Sequence, residues 1–220
     1  MNKGDIKRYV FEYADSNMFV MISDNSALVI DPNISQSALK YLRENHISEI
    51  TVMLTHEHYD HTSGLTWLCG KFKSNVICHT ETAASLQSGK NNRPVMIASQ
   101  RFKTLPRDEI KKITDNLPQK YTYDPDITFS NKFGFEWHGH EINLISTPGH
   151  SKGSCCIEID DSIVATGDSL IFNTPVVTRF LGSSIEQFEN ITLPYLKRIK
   201  GDTLILPGHG DMFYMKENII

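Results

Sequence analysis

Thr55-His56-Glu57-His58-Tyr59-Asp60-His61 sets three histidines and two carboxylates within six positions, directly after the apolar run Ile50-Thr51-Val52-Met53-Leu54. The run has the length and β-branched content of a buried strand, so the polar cluster occupies the loop at that strand's C-terminal end. Folds built on buried sheets place their sites at such ends. Imidazole and carboxylate are the donors that first-row metals such as zinc and iron accept. Alternation along an extended segment lets His56, His58 and Asp60 point the same way, while His61 requires the chain to turn before Gly64.

Three further strand ends downstream repeat the pattern. Ile142, Leu144 and Ile145 run into Ser146-Thr147-Pro148-Gly149-His150-Ser151-Lys152-Gly153-Ser154. The hairpin made by Cys155–Ile159 and Ser162–Ala165, turning at Asp160-Asp161, ends in Thr166-Gly167-Asp168-Ser169. Thr203–Leu206, read as the last core strand, ends in Pro207-Gly208-His209-Gly210. Each end carries a nearby glycine, which permits tight turning and close backbone approach. Together they supply five histidines and two aspartates: His56, His58, Asp60, His61, His150, Asp168 and His209. Seven donors exceed the needs of one tetrahedral ion and suit two ions that share a bridging carboxylate.

The rest of the chain reads as alternating strands and helices, hence an α/β layer arrangement. Arg8–Tyr13, Met18–Ile22 and Ala27–Ile30 form an antiparallel meander with turns at Asp15-Ser16-Asn17 and Asp24-Asn25-Ser26. It ends at Asp31, which either caps the next segment or supports a metal ligand from behind. Ser35–Asn45 has helical spacing, Leu65, Leu68 and Cys69 mark a short helix, and Asn75–Cys78 is a short strand. Thr80–Leu86 is a helix with Thr80 as its N-cap. Phe133, Phe135 and Trp137 lie on a strand leading to a turn at His138-Gly139-His140. Ile185–Ile199 is helical, capped by Ser184 and interrupted at Pro194.

At 220 residues and 40% apolar content the chain suits one domain, 1–220, with an insertion near 88–126. That segment is polar and basic, carrying Lys90, Arg93, Arg101, Lys103, Arg107, Lys111, Lys112 and Lys120, with a helix over Asp108–Leu117. A solvated excursion is preferred there to a substrate-gripping lid. The net charge of −4, with acids and bases interspersed, argues against a nucleic-acid binder. Cys69, Cys78, Cys155 and Cys156 show no CxxC spacing and read as reduced, buried thiols of a cytoplasmic protein. Met1-Asn2-Lys3-Gly4-Asp5 leads into no signal-peptide core, and no apolar run reaches membrane-spanning length. The remaining histidines, His46, His79, His138 and His140, lie outside the ligand loops. Trp67 and Trp137 read as core, and Tyr59 as a pocket wall.

The pattern His56-x-His58-x-Asp60-His61, followed by His150, Asp168 and His209, resembles the metallo-β-lactamase-fold hydrolases, most of all their glyoxalase II-like, hydroxyacylglutathione hydrolase-like branch. The resemblance runs through Ala27–Pro32, Thr55–Gly64, Thr147–Ser154, Thr166–Ser169 and Pro207–Gly210. It implies a four-layer αββα sandwich with the site at one sheet edge. It also implies one metal on His56, His58 and His150 and a second on Asp60, His61 and His209, bridged by Asp168. Zinc is the expected metal, with iron or manganese as alternatives. Two departures bear on the substrate. Glyoxalase II enzymes carry a C-terminal helical domain that grips glutathione, and this chain runs only to Ile220. Their Gly-Arg-x-Asp stretch is replaced by Phe172-Asn173-Thr174-Pro175-Val176-Val177-Thr178-Arg179. The expected activity is therefore hydrolysis of a small thioester or related acyl ester by a metal-activated hydroxide, with Asp60 also orienting the nucleophile. A mononuclear iron persulfide dioxygenase, using His56, His150 and Asp168, and a lactonase are the alternatives on the same fold.

Overall fold

A computed structural model describes residues 3–98 and 105–216. Met1, Asn2, Arg101 and Lys103, used above in reading the N-terminus and the basic segment, lie outside the described residues. The chain forms two six-stranded sheets. The first contains β1 (Lys7–Val10), β2 (Asn17–Ser23), β3 (Ser26–Ile30), β4 (Glu49–Met53), β5 (Lys73–His79) and β6 (Ile127–Phe129), in chain order. β1 to β3 are antiparallel, and β3 to β6 run parallel. Parallel neighbours need crossovers, which helices provide. They are α1 (Gln36–Glu44), α2 (Tyr59–Thr62), α3 (Leu65–Cys69), α4 (Thr80–Ser88), α5 (Val95–Ala98) and α6 (Arg107–Asp115).

The second sheet contains β7 (Lys132–Trp137), β8 (His140–Ser146), β9 (Cys155–Ile159), β10 (Ile163–Gly167), β11 (Leu204–Pro207) and β12 (Phe213–Tyr214). Only β10 and β11 are parallel in it. Their crossover holds α7 (Ile185–Gln187), a π-helical turn at Phe188–Thr192, and α8 (Leu193–Leu196).

Alternation along the strands sorts the side chains into layers. Phe19, Met21, Leu28, Ile30, Met53 and Ile77 of the first sheet meet Ile142, Leu144, Ile157, Ile159, Ala165 and Leu206 of the second in one inner core. Val20, Val29 and Val52 face outward against Ala38 and Leu42 of α1, Leu65 and Leu68 of α3, and Ala83 and Leu86 of α4. On the far side, Cys156, Val164 and Ile205 pack against Leu196 of α8. The result is the four-layer αββα sandwich expected from the sequence. Cys155 joins the inner core and Cys156 the outer one, as adjacent strand residues must. No helix among the described residues is long and apolar enough to cross a membrane.

Several boundaries differ from the sequence reading. β1 stops at Val10, not Tyr13, because Asp15 at φ 56° closes a turn in which the N–H groups of Ala14 and Asp15 donate to the Phe11 carbonyl. β6 and β12, of three and two residues, are too short to leave a pattern and were not foreseen. The N-cap of α4 is His79, whose Nδ1 accepts the Glu81 N–H, and Thr80 is already helical. His79 is accordingly buried, its Nε2 bonded to the Ser130 carbonyl. Ser184 does cap α7 by accepting the Gln187 N–H. The interruption expected at Pro194 takes the form of the π turn just before it. A proline supplies no N–H, so a widened turn there leaves fewer carbonyls unpaired.

Candidate metal centre

All seven sequence-predicted residues converge at the end of the sandwich where β4, β8, β10 and β11 release their chains. This is a rim of strand ends, not a lateral edge, and it spans both sheets. From the first sheet come His56, His58, Asp60 and His61. From the second come His150, Asp168 and His209.

The first trio is His56, His58 and His150. His58 Nδ1 lies 3.1 Å from His56 Nε2 and 3.0 Å from His150 Nε2. The second trio is Asp60, His61 and His209, with Asp60 Oδ2 3.4 Å from Nε2 of both imidazoles. Asp168 stands between them. Its Oδ2 is 3.5 Å from His150 Nε2, and its Oδ1 is 3.4 Å from His61 Nε2 and 3.5 Å from His209 Nε2. One oxygen therefore serves each trio, which is the disposition a bridging carboxylate needs. The alternation expected for His56, His58 and Asp60 ends at His58. From Tyr59 the chain is helical, and α2 swings Asp60 and His61 together toward His209.

The donors fit divalent ions. Bonds of about 2.0–2.1 Å place ligand atoms roughly 3.3–3.4 Å apart around a tetrahedron, and the spacings above lie within a few tenths of that. His61 Nε2 and Asp168 Oδ1 are buried and have no hydrogen-bond partner among the described residues. Leaving buried polar atoms unpaired is costly, and a cation between them removes the cost. Nor is there room for another side chain: a Cβ on Gly208 would overlap Asp168 Oδ1 and crowd the His61 ring.

Charge divides the trios. Burial pushes His56 well below the ordinary imidazole value and lowers His58 and His150, with the neighbouring imidazoles of His61 and His58 adding to the effect on His56. These rings are neutral, with lone pairs available. In the second trio burial acts the other way from the net result. It opposes ionisation of Asp60 and Asp168, yet the facing His61 and His209 hold Asp60 down at about 2 and Asp168 well below the carboxylate range. Burial would likewise lower His61 and His209. The charges of Asp60 and Asp168 instead raise His61 well above its ordinary value, and the facing Asp168 carboxylate raises His209 to about 10. This half of the site is built around positive charge.

Supporting bonds aim the rings. Asp31, held at φ 51° just after β3, accepts the Thr55 N–H at 2.7 Å, the Thr55 hydroxyl at 2.5 Å and His61 Nδ1–H at 2.9 Å. Of the two readings left open for Asp31, the cap falls away, since Ser35 caps α1, and the carboxylate instead holds Thr55 and the ligand candidate His61. It also falls within ligand spacing of His56 and His61, but its oxygens are already engaged. His150 Nδ1 donates to the Val177 carbonyl at 2.9 Å, which leaves Nε2 for the site. Glu57, the second carboxylate of the motif, turns away and accepts the Ser151 hydroxyl at 2.8 Å, tying the His56 and His150 loops together. Asn17, missed in the sequence, donates its side-chain amide to the carbonyls of Pro207 and Gly210, while its backbone N–H donates to Gly208. The remaining histidines stay apart, His138 against Asp24 and His140 against Asp160.

A cavity of about 460 Å³ opens over the centre, lined by His58, Asp60, His150, Asp168 and His209 together with Ala14, Asp15, Met96, Val177 and Phe180. Met96 belongs to the 88–126 segment, which is thus part of the site wall. The Tyr59 hydroxyl donates to the Pro118 carbonyl and the Tyr121 hydroxyl to the Thr62 carbonyl, so the segment is fastened to the ligand loop.

The model of the Metallo-beta-lactamase superfamily matches residues 14–209. The chain is 25% identical over 197 residues to the Probable metallo-hydrolase YqgX of Bacillus subtilis (strain 168), covering 89% of this chain and 85% of that one. It is 27% identical over 199 residues to the Hydroxyacylglutathione hydrolase of Hahella chejuensis (strain KCTC 2396), covering 90% of this chain and 62% of the relative. Among solved structures, that of TTHA1623 in a di-iron-bound form superposes with a TM-score of 0.68 at 17% identity, covering 95% of this chain and 94% of the other.

Proposed function

The chain belongs to the metallo-beta-lactamase superfamily, and on that premise we propose that it is a dinuclear metal-dependent hydrolase of a thioester or related acyl ester. The observation that carries the reading is the intact second trio. Asp60, His61 and His209 gather within ligand spacing and share Asp168 with His56, His58 and His150. A mononuclear oxygenase would hold its iron on His56, His150 and Asp168 alone, so a complete second trio favours two ions over one.

Two divalent ions would be held by these seven residues, zinc by the chemistry of the imidazole and carboxylate set, with iron as the alternative given the di-iron-bound neighbour. Such ions supply Lewis acidity, polarising a carbonyl and making hydroxide available at neutral pH. The chain's own groups do the positioning. Asp31 and the Val177 carbonyl fix the tautomers of His61 and His150, so that Nε2 of each faces the centre. Asp60 lines the cavity, where as a ligand it would also orient the nucleophile. Phe180 stands edge-on to His58 and His150 and limits water on that side. The hydroxyacylglutathione hydrolase likeness supports acyl-bond cleavage. Since the chain spans 62% of that relative, the glutathione moiety is not carried over.

Elemental analysis of protein purified without added metal tests this, alongside a screen of thioesters, esters and lactones. Close to two ions per chain and thioester cleavage are expected. His56→Ala and Asp168→Ala should lose metal and activity together. One iron per chain, with oxygen uptake on a persulfide, would replace the hydrolase by the dioxygenase.

A further inference from the structure

Resting on the acyl-hydrolase reading, we propose that the metal cavity continues into an apolar subsite, built by Met96, Phe180 and Leu181, that receives the hydrocarbon chain of the acyl group. A second cavity of about 170 Å³ adjoins the first. Tyr59, Asn91 and Leu181 join His58, Asp60, Met96 and Phe180 in its lining, the last four being common to both. Continuity through His58 and Asp60 means that a carbonyl held at the centre can extend its substituent straight into this space.

The apolar part of the lining, Met96, Phe180 and Leu181, comes from separate parts of the chain. Met96, on α5, is 39% exposed, and Leu181, in the loop after β10, is 105% exposed. A single exposed leucine carries no message. Here Met96 and Leu181 bracket one opening beside the candidate ligands, with the Phe180 ring 5.5 Å from His58 and 6.0 Å from His150. Ligand sites are typically apolar concavities with a few convergent polar groups, and this one has both. Charge points the same way. The acids Asp15, Asp60 and Asp168 lie in the lining, and among the described residues no lysine or arginine does. The described lining therefore offers no basic side chain to an anionic group, whereas Met96, Phe180 and Leu181 offer matching surface to an uncharged alkyl chain.

The probe is a series of straight-chain alkyl hydroxamates, acetyl to octanoyl, titrated calorimetrically into the metal-loaded protein. Hydrolysis of the matching acyl thioesters of one small thiol is measured in parallel. Affinity should rise about fourfold per methylene until the subsite is filled, the transfer value of a buried CH₂. Phe180→Ala and Leu181→Ser, with metal content unchanged, should flatten that rise. A flat series in the parent protein, or an unaltered slope in both variants, overturns the subsite even if thioesters are cleaved. A rising series with no thioester cleaved keeps the subsite and overturns the acyl-hydrolase reading. Failure of every hydroxamate to bind, with no thioester cleaved, overturns both.

Discussion

Asp31 sits behind the centre and takes three hydrogen bonds that hold Thr55 and His61 in place. Asp31→Asn removes the anion that fixes the His61 tautomer. Metal affinity should fall about 10- to 100-fold, the usual effect of losing such a partner, as chelator competition would show. Gly208 is constrained by space. Gly208→Ala pushes a methyl group against Asp168 and His61. About 1–3 kcal/mol of stability should be lost, as in other overpacked sites, together with metal occupancy; urea unfolding and elemental analysis read the two separately. The seven ligand candidates were legible because their residue types are rare in combination and recur at strand ends. Asp31 was legible only as an alternative, since Asp-Pro after a strand reads equally well as a cap. Asn17, Met96 and Phe180 left no signal, because nothing about their types or spacing refers to residues 190, 38 or 30 positions away.

At the scale of elements, the β1–β2 turn acts as a clamp. The Ser16 hydroxyl donates to the Asp60 carbonyl at 2.8 Å, and Asn17 holds the Pro207–Gly210 loop through Pro207, Gly208 and Gly210. Both loops of the second trio therefore hang on this turn, whereas the first trio is held by Glu57 and Ser151. Asn17→Ala should weaken the second ion about 10- to 100-fold and leave the first, so metal content after dialysis should drop from two toward one per chain. An equal loss of both ions would show that the turn supports the fold and not one site. The short helix α2 gives the same lesson in another form. Strand alternation explained His56 and His58, but the helical turn at Tyr59 assigned Asp60 and His61 to the other trio. A four-residue helix offers too little periodicity to be read in advance.

On the scale of the whole molecule, one core joins the sheets and one centre straddles them. Leu144, fully buried in the inner core, contributes to both halves of the sandwich. Leu144→Ala should cost about 2–5 kcal/mol and shift a single unfolding transition, and two separate transitions in calorimetry would contradict a shared core. Chelation should lower the melting temperature in the same single transition, because ions that bind only the assembled site stabilise the native state by mass action. An unchanged melting temperature on metal removal would mean that the site contributes nothing to joining the sheets.

By itself the sequence determined the layered α/β class, the strand ends that carry histidine and aspartate, and the donor chemistry. These follow from local pattern: period-2 apolar runs, glycine-bearing loops, and residue types that bind metals. The division of the seven donors into two trios followed from the family resemblance and not from local pattern, and tertiary structure alone decided which oxygen of Asp168 faces which trio and that Asp31, Glu57 and Asn17 aim the loops. It also decided that Met96 of the 88–126 segment reaches the cavity wall, while α6 of the same segment lies in solvent, as its polar composition implied. Those facts depend on contacts between residues far apart in the chain. Two sheets must pack before their strand ends share a rim, and no local pattern records which loop a given side chain will meet there.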